Sequence, residues 1–271
     1  RIVLEAAPAA PELTASVLEQ AIARIGAGLR LPASGDVYEF RLYLLTASGE
    51  KKEVERFAEP VTIALPVPVD ADAVLLGIYH LLDVGEAEYV GGVVQNGWIA
   101  ADVEHFSLYA ALEYRKTFSD VPNGHWAARD IQALAARHMV QGVSSDEFRP
   151  NGKVTRAEFA AMLSRTLGLQ AADEASATLP FRDVAADAWY SPEVAAAYEA
   201  GLIRGREADR FDPQGLVTRE EMAVMIARAA VRAGGLAEAD EAALQRFKDA
   251  DDASPWARAG LSFAAGAGIV Q

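Results

Sequence analysis

The rhythm of hydrophobic and polar positions changes near residue 117. Before it, short β-branched and aromatic runs, VYEFRLYLL (37–45), VTIALPVPV (61–69), AVLLGIYHLL (73–82) and HFSLYAALEY (105–114), are separated by Gly, Pro, Asp and Asn, the pattern of strands joined by turns. The triplets SGE (48–50) and QNG (95–97) are expected at hairpin tips. One helix is predicted in this half, over 14–25, where Val17, Leu18, Ala21, Ile22 and Ile25 share a face. After residue 117 the apolar positions follow a helical period in an alanine-rich background.

This helical half repeats itself. Phe118, Phe181 and Phe247 open the similar segments FSDVPNGHWA, FRDVAADAWY and FKDADDASPWA. Trp126 and Trp189, Gly142 and Gly205, Phe148 and Phe211, Thr155 and Thr218 are each 63 residues apart, which marks a duplication. The third unit keeps Phe247, Asp249 and Trp256 and runs to AGIVQ, short of its own Thr-Arg-x-Glu. Each unit predicts a first helix after its tryptophan (127–138 and 191–200), with Ile131, Leu134 and Ala135 as an apolar stripe in the first copy. An irregular loop follows, FRPNG or FDPQG, where Pro and Gly forbid helix.

The second helix of each unit opens on a capping box, Thr155 with Glu158 and Thr218 with Glu221. Phe159, Met162, Leu163 and Leu167 are expected to face inward, as are Met222, Met225 and Ile226 in the copy. Two such short helices cannot bury their own apolar faces, so the units should pack on one another, three copies giving a three-fold arrangement. The expected organisation is a mostly-β domain over 1–116 and repeats over 117–170, 180–233 and 246–271, the last truncated.

Within the capping boxes Arg156 and Arg219 stand out, because a cation beside the positive end of a helix dipole is unfavourable by a few tenths of a kcal/mol. A helix N-terminus with free N–H groups plus a guanidinium suits an anion. Charge-assisted hydrogen bonds of about 1.5–3 kcal/mol would outweigh the dipole term. Both arginines are expected to be exposed, so that their replacement by alanine removes binding without changing stability.

Composition narrows the partner. The chain of 271 residues has a net charge of −14, acids outnumbering bases 39 to 25, which argues against a nucleic-acid partner. An anionic ligand must therefore be gripped locally. There is no cysteine, which excludes disulfides and thiol chemistry and leaves the redox compartment open. No apolar run reaches the roughly 18 residues of a membrane span, and RIVLEAAPAAP lacks the basic start and apolar core of a signal peptide. With Arg1 in place of methionine, the chain reads as a fragment of something longer.

The pattern F-x-D-V-x-x-x-x-W-A, then G, then F-x-P-x-G-x-V-T-R-x-E, resembles the S-layer homology domain over residues 118–271. The resemblance implies a multidomain chain. A mostly-β, sandwich-like spacer is followed by α-helical repeats folded as a pseudo-three-fold bundle with grooves between neighbours. It also implies attachment of a protein to the outside of a bacterium, without catalysis and without a cofactor. The partner implied is a secondary cell-wall polysaccharide, pyruvylated or otherwise anionic, linked to peptidoglycan. Residues 50–116 look similar to the β modules that commonly precede such repeats.

Carried onto this sequence, the Thr-Arg-x-Glu motif falls on Thr155, Arg156 and Glu158 and on Thr218, Arg219 and Glu221. Trp126, Trp189 and Trp256 offer flat faces to a sugar ring, or pack the first helix. Gly142 and Gly205 are expected to supply positive φ in a turn and to let a ligand approach the backbone. The family's glycine after the first helix is present as Gly201 and Gly268 but replaced by His138 in the first unit.

Other classes fare less well. NGKVTRAE has the glycine and closing glutamate of a calcium loop, but setting Gly152 or Gly215 at loop position six puts Arg149 or Arg210 at ligand positions, and arginine cannot ligate calcium. No nucleophile motif, phosphate loop or metal spacing appears, and Asp120, Asp183 and Asp249 recur with the repeat as a fold feature would. His105, His125 and His138 are isolated in sequence. The alternatives are a protein–protein module for lattice assembly with other S-layer subunits, or the anchor region of a larger secreted enzyme.

Overall fold

The computed structural model describes residues 1–25, 28–46, 48–82, 86–169, 179–235 and 241–270. Residues 170 and 271, which bound the first and third expected repeats, lie outside them. The chain divides into two compact units, Arg1–Pro150 and Asn151–Gln271. The helical pattern thus begins inside the first unit.

That unit contains β1 (Ile2–Pro8), α1 (Pro11–Ile25), β2 (Leu29–Arg30), β3 (Val37–Leu45), β4 (Lys51–Glu53), β5 (Val61–Pro66), β6 (Leu76–Leu81), β7 (Ala87–Gly91), β8 (Val93–Gln95), β9 (Trp98–Val103), β10 (Leu108–Tyr114) and α2 (Ala128–Ala136). One antiparallel sheet has the order β1-β3-β10-β6-β7, with β2 paired to β10 and β4 to β3; a second has the order β5-β9-β8. The apolar runs of β6 and β10 are continuous because both faces are covered. Leu108, Ala110 and Leu112 pack under Val17, Leu18 and Ala21 of α1, while Tyr109 and Ala111 meet Ile63, Leu65 and Ile99 of the second sheet. The four strands read from the sequence are present, the second, third and fourth shorter than the runs; β1, β2, β4, β7, β8 and β9 had no run assigned to them. At the β8–β9 tip Asn96 and Gly97 both take positive φ, 52° and 80°, the requirement of a two-residue hairpin turn.

The first helix of repeat 1 lies against β10. Arg129 of α2 grips Asp72 with two hydrogen bonds, 2.7 and 2.6 Å, and Arg137 donates to the Val74 carbonyl at 3.0 Å. His138 follows α2 in the left-handed conformation, φ 56°, matching Gly201 and Gly268 at 71° each. Its ring sits among Tyr79, Tyr89 and Tyr114, with centroids 6.0, 5.0 and 5.0 Å away, and its Nε2 is 3.0 Å from the Tyr79 hydroxyl. The histidine therefore accepts the backbone strain a glycine avoids and gains an aromatic socket. Leu134, expected in the apolar stripe, is instead 40% exposed, while Ile131 and Ala135 are buried.

Burial holds the His138 imidazole below its usual pKa. The unfolded chain takes up a proton near pH 6.5 and the folded chain does so only at lower pH, so stability falls as pH drops through about 6.5. Urea unfolding of the chain should show lower stability at pH 5.5 than at 7.5. His138→Asn, which tolerates positive φ, should remove part of that difference relative to the parent chain.

The second unit comprises α3 (Arg156–Thr166), α4 (Ser191–Glu199), α5 (Arg219–Arg232), α6 (Glu241–Leu244), a 3-10 turn (Ala250–Asp252) and α7 (Arg258–Gly266). Its core joins Ala157, Phe159 and Ala160 of α3 to Val194 and Ala197 of α4, Phe211, and Met225 and Ala229 of α5, with Met162, Leu163, Leu167, Met222 and Ile226 partly buried against it. Helix α7 crosses α5 closely: a Cβ on Gly260 would lie 2.8 Å from the Val224 Cα.

Candidate functional site

Both capping boxes form. Thr155 and Thr218 are extended N-cap residues whose side chains accept from the Glu158 and Glu221 N–H groups, and each glutamate accepts from its N-cap N–H in return. The turns preceding them are held alike: Asp120 accepts from the Phe148 and Arg149 N–H groups at 2.9 and 2.6 Å, and Asp183 from Phe211 and Asp212 at 2.8 and 2.7 Å. Arg149 and Asp212 both take φ 62°. Asp120 and Asp183 are turn clamps. Hydrogen bonding from the Phe148 N–H is the first cause that holds the Asp120 carboxyl below its usual range.

The motif arginines differ sharply. Arg156, expected to be exposed, is 2% exposed. Its Nε donates to the Phe211 carbonyl at 2.8 Å, Nη2 to the Arg204 carbonyl at 2.8 Å and Nη1 to the Glu221 carboxylate at 2.6 Å, and its guanidinium lies 4.6 Å from the Phe211 ring centroid. Repeat 2 also fills the amide end of α3, since the Arg156 and Ala157 N–H groups donate to the Gly215 and Pro213 carbonyls at 2.9 and 3.0 Å. The amides and the charge proposed for an anion are thus taken by the FDPQG turn. Burial drives the Arg156 guanidinium pKa down, against the Glu221 charge. Burial pushes the Glu221 carboxyl up, but Arg206, the Thr218 N–H and Arg156 outweigh it and hold that carboxyl below its usual value.

Arg219 is exposed. Its side chain forms no hydrogen bond or ion pair with any described residue.

The tryptophans face solvent: Trp126 is 86%, Trp189 58% and Trp256 58% exposed. Trp126 stacks on His125, 5.7 Å between centroids. Trp256 lines a groove of about 520 Å³ between α5 and α7, with Val224, Ala227, Arg228 and Val231 on one wall, Ala259 and Gly260 on the other, and Gly201 and Arg232 at its margins. Both charged lining residues are arginines, in a chain of net charge −14. Arg228 donates to the Leu202 carbonyl at 3.2 Å. Desolvation, and secondarily Arg204, lower its pKa, so an anion in the groove would relieve an uncompensated cation.

The corresponding interface between α3 and α4 is closed. Glu193 stands where Gly260 stands in the third repeat, and Arg165, the counterpart of Arg228, donates to it at 3.2 and 2.5 Å. Ser164 donates to the Glu193 carbonyl at 2.8 Å. The Arg165 guanidinium lies 5.9 Å from the Trp189 ring centroid, so that tryptophan is engaged by the protein's own cation.

Gly142 has positive φ, 85°, as expected, whereas Gly205 does not. A Cβ on Gly205 would lie 2.3 Å from the Glu207 carbonyl oxygen and 2.7 Å from the Phe181 ring, and one on Gly142 2.5 Å from the Phe118 ring. The space these glycines leave is filled by their own repeats. Arg228, Arg232 and Glu193 escaped the sequence reading; the signal was there, since Arg165 and Arg228 share the 63-residue offset.

The chain thus carries a duplicated helical module with exposed tryptophans and an arginine-lined groove. Residues 117–160 and 180–223 match the sequence model of the S-layer homology domain. The chain carries S-layer homology repeats. It is 38% identical over 229 residues to an amylopullulanase of Thermoanaerobacterium thermosulfurigenes, covering 83% of this chain and 12% of that protein. It is 41% identical over 112 residues to an endo-1,4-beta-xylanase A of Thermoanaerobacterium saccharolyticum, 41% of this chain and 9% of that protein. It is 36% identical over 114 residues to the S-layer protein sap of Bacillus anthracis, 42% of this chain and 14% of that protein. The chain therefore spans a small part of each relative's length.

Proposed function

We propose that this chain anchors a larger protein non-covalently to a bacterial cell wall. It does so by taking an anionic secondary wall polysaccharide, pyruvylated on its sugar, into the groove between α5 and α7. The observation that carries this reading is the groove itself: Trp256 offers an apolar face to a sugar ring, and Arg228 and Arg232 supply the only charges among its lining residues. A ketal-pyruvate carboxylate seated there would accept charge-assisted hydrogen bonds in a partly desolvated site. The α3–α4 interface, neutralised by Glu193, is not used.

The module is non-catalytic, extracellular and built from repeats arranged about a pseudo-three-fold axis, the β domain over 1–116 serving as its spacer. Relatives named as enzymes and relatives named as S-layer proteins both match parts of this chain, which favours a task common to both, attachment, over a chemistry peculiar to either. The anchor region of a larger secreted enzyme fits the same mechanism. Purified chain should sediment with wall sacculi and stay in solution when the secondary polymer has first been removed by acid extraction. Binding that survives the extraction would point to a protein or peptidoglycan partner and defeat the proposal.

A further inference from the structure

We infer that the outer face of the β5-β9-β8 sheet is a second glycan site, one for an uncharged polysaccharide of equatorially linked hexopyranoses that stacks on Trp98. Side chains alternate along these strands, and Ile63, Leu65, Ile99 and Val103 point into the core, so the residues between them face outward. The register sets those outward residues in three rows. Trp98 stands between Pro66 and Gln95, Ala100 between Ala64 and Val93, and Asp102 beside Thr62. Trp98 is 53% exposed, although a large aromatic side chain gains most from burial. The row next to it holds two alanines and a valine, none as tall as an indole.

Polar groups frame this apolar strip at both ends. Gln95 is exposed, and its side chain bonds to no described residue. At the far end the Thr62 Oγ1 donates to Asp102 Oδ1 at 2.6 Å, which orients the carboxylate and leaves Oδ2 without a hydrogen-bond partner among the described residues. A pyranose matches that layout, since its C–H groups form apolar faces and its hydroxyls lie at the rim. The face is a platform without walls, which suits an extended chain of equatorially linked rings over a coiled one. It carries one carboxylate and neither lysine nor arginine, in a chain of net charge −14, so an anionic sugar is repelled there. The α5–α7 groove, with its two arginines, has the opposite preference. A protein partner fits less well, because the three rows measure about 13 by 10 Å, far short of the ~800 Å² that each side of a stable interface buries. This inference is independent of what the α5–α7 groove binds.

The test is titration calorimetry of the full chain with cellohexaose, an uncharged chain of equatorially linked glucose. The parent chain should bind it, Trp98→Ala should weaken binding by roughly 10-fold or more, and Trp98→Tyr should keep most of it. Asp102→Ala should weaken binding several-fold with the thermal midpoint unchanged, as expected for an exposed position. Trp256→Ala, which strips the α5–α7 groove of its aromatic face, should bind cellohexaose as the parent does. A parent chain that does not bind cellohexaose would overturn the inference, as would binding that Trp98→Ala and Asp102→Ala leave intact or that Trp256→Ala removes. So would a dimer of the parent chain, seen by sedimentation, that Trp98→Ala dissociates, because a second copy would then own the face.

Discussion

Arg156→Ala is expected to lower the thermal midpoint of the Asn151–Gln271 unit by roughly 10–20 °C. Removing one partner of a buried ion pair costs about 3–5 kcal/mol; Glu221 keeps Arg206 and the Thr218 N–H, so the cost falls chiefly on the buried carbonyls left without a donor. For a domain near this size each kcal/mol moves the midpoint by about 3–5 °C. Here the loss includes the carbonyls of Phe211 and Arg204 as well as Glu221, and the ring contact with Phe211. Arg156→Lys should recover little, since an ammonium cannot present three donors in the fixed fork that meets acceptors in three directions. Arg219→Ala in the same chain is the control. Calorimetry that finds the two substitutions equally mild would show Arg156 to be a surface residue in solution.

The Arg156–Glu221 contact also has a pH signature. The Glu221 carboxyl titrates below its unfolded value, so its contribution is present above about pH 4.5 and is lost as pH falls through the folded value. Acid should therefore loosen the second unit from this point, where Arg206, Arg156 and the Thr218 N–H converge on one carboxylate.

What the sequence disclosed follows from what is local. Capping needs only residues i and i+3, so Thr155 with Glu158 and Thr218 with Glu221 were legible as helix starts and form as such. The strands with strong apolar runs were legible for the same reason; β1 and β8 were missed because each is an edge strand paired on one side, with alternation too weak to stand out. The destination of Arg156 was not legible, because its three acceptors lie 48 to 65 residues away. A charge at a helix start looks the same in sequence whether it meets a ligand or a neighbouring turn. Aligning Trp189 with Trp256 could have flagged the difference between Glu193 and Gly260, but only contact between helices shows that one closes an interface and the other opens it.

The groove gives the second large effect. With a pyruvylated wall disaccharide as titrant, Trp256→Ala and Arg228→Ala should each weaken binding by about 10- to 100-fold, the equivalent of roughly 1.4–2.7 kcal/mol. Arg232→Ala should weaken it less, because its exposed charge works in higher dielectric. The same disaccharide without the pyruvate should bind the parent chain and Arg228→Ala alike, which separates loss of the anion contact from general damage to the groove. Raising the salt should erode the difference between the pyruvylated and neutral sugars, as screening of a partly exposed ion pair requires. Glu193→Gly is the converse change: it frees Arg165 and removes the carboxylate that fills the α3–α4 interface, so a second, weaker site should appear in the titration. If Trp256→Ala and Arg228→Ala bind as the parent does while Trp126→Ala or Arg219→Ala does not, the sugar is held elsewhere on the repeats and the α5–α7 groove is only a seam between helices.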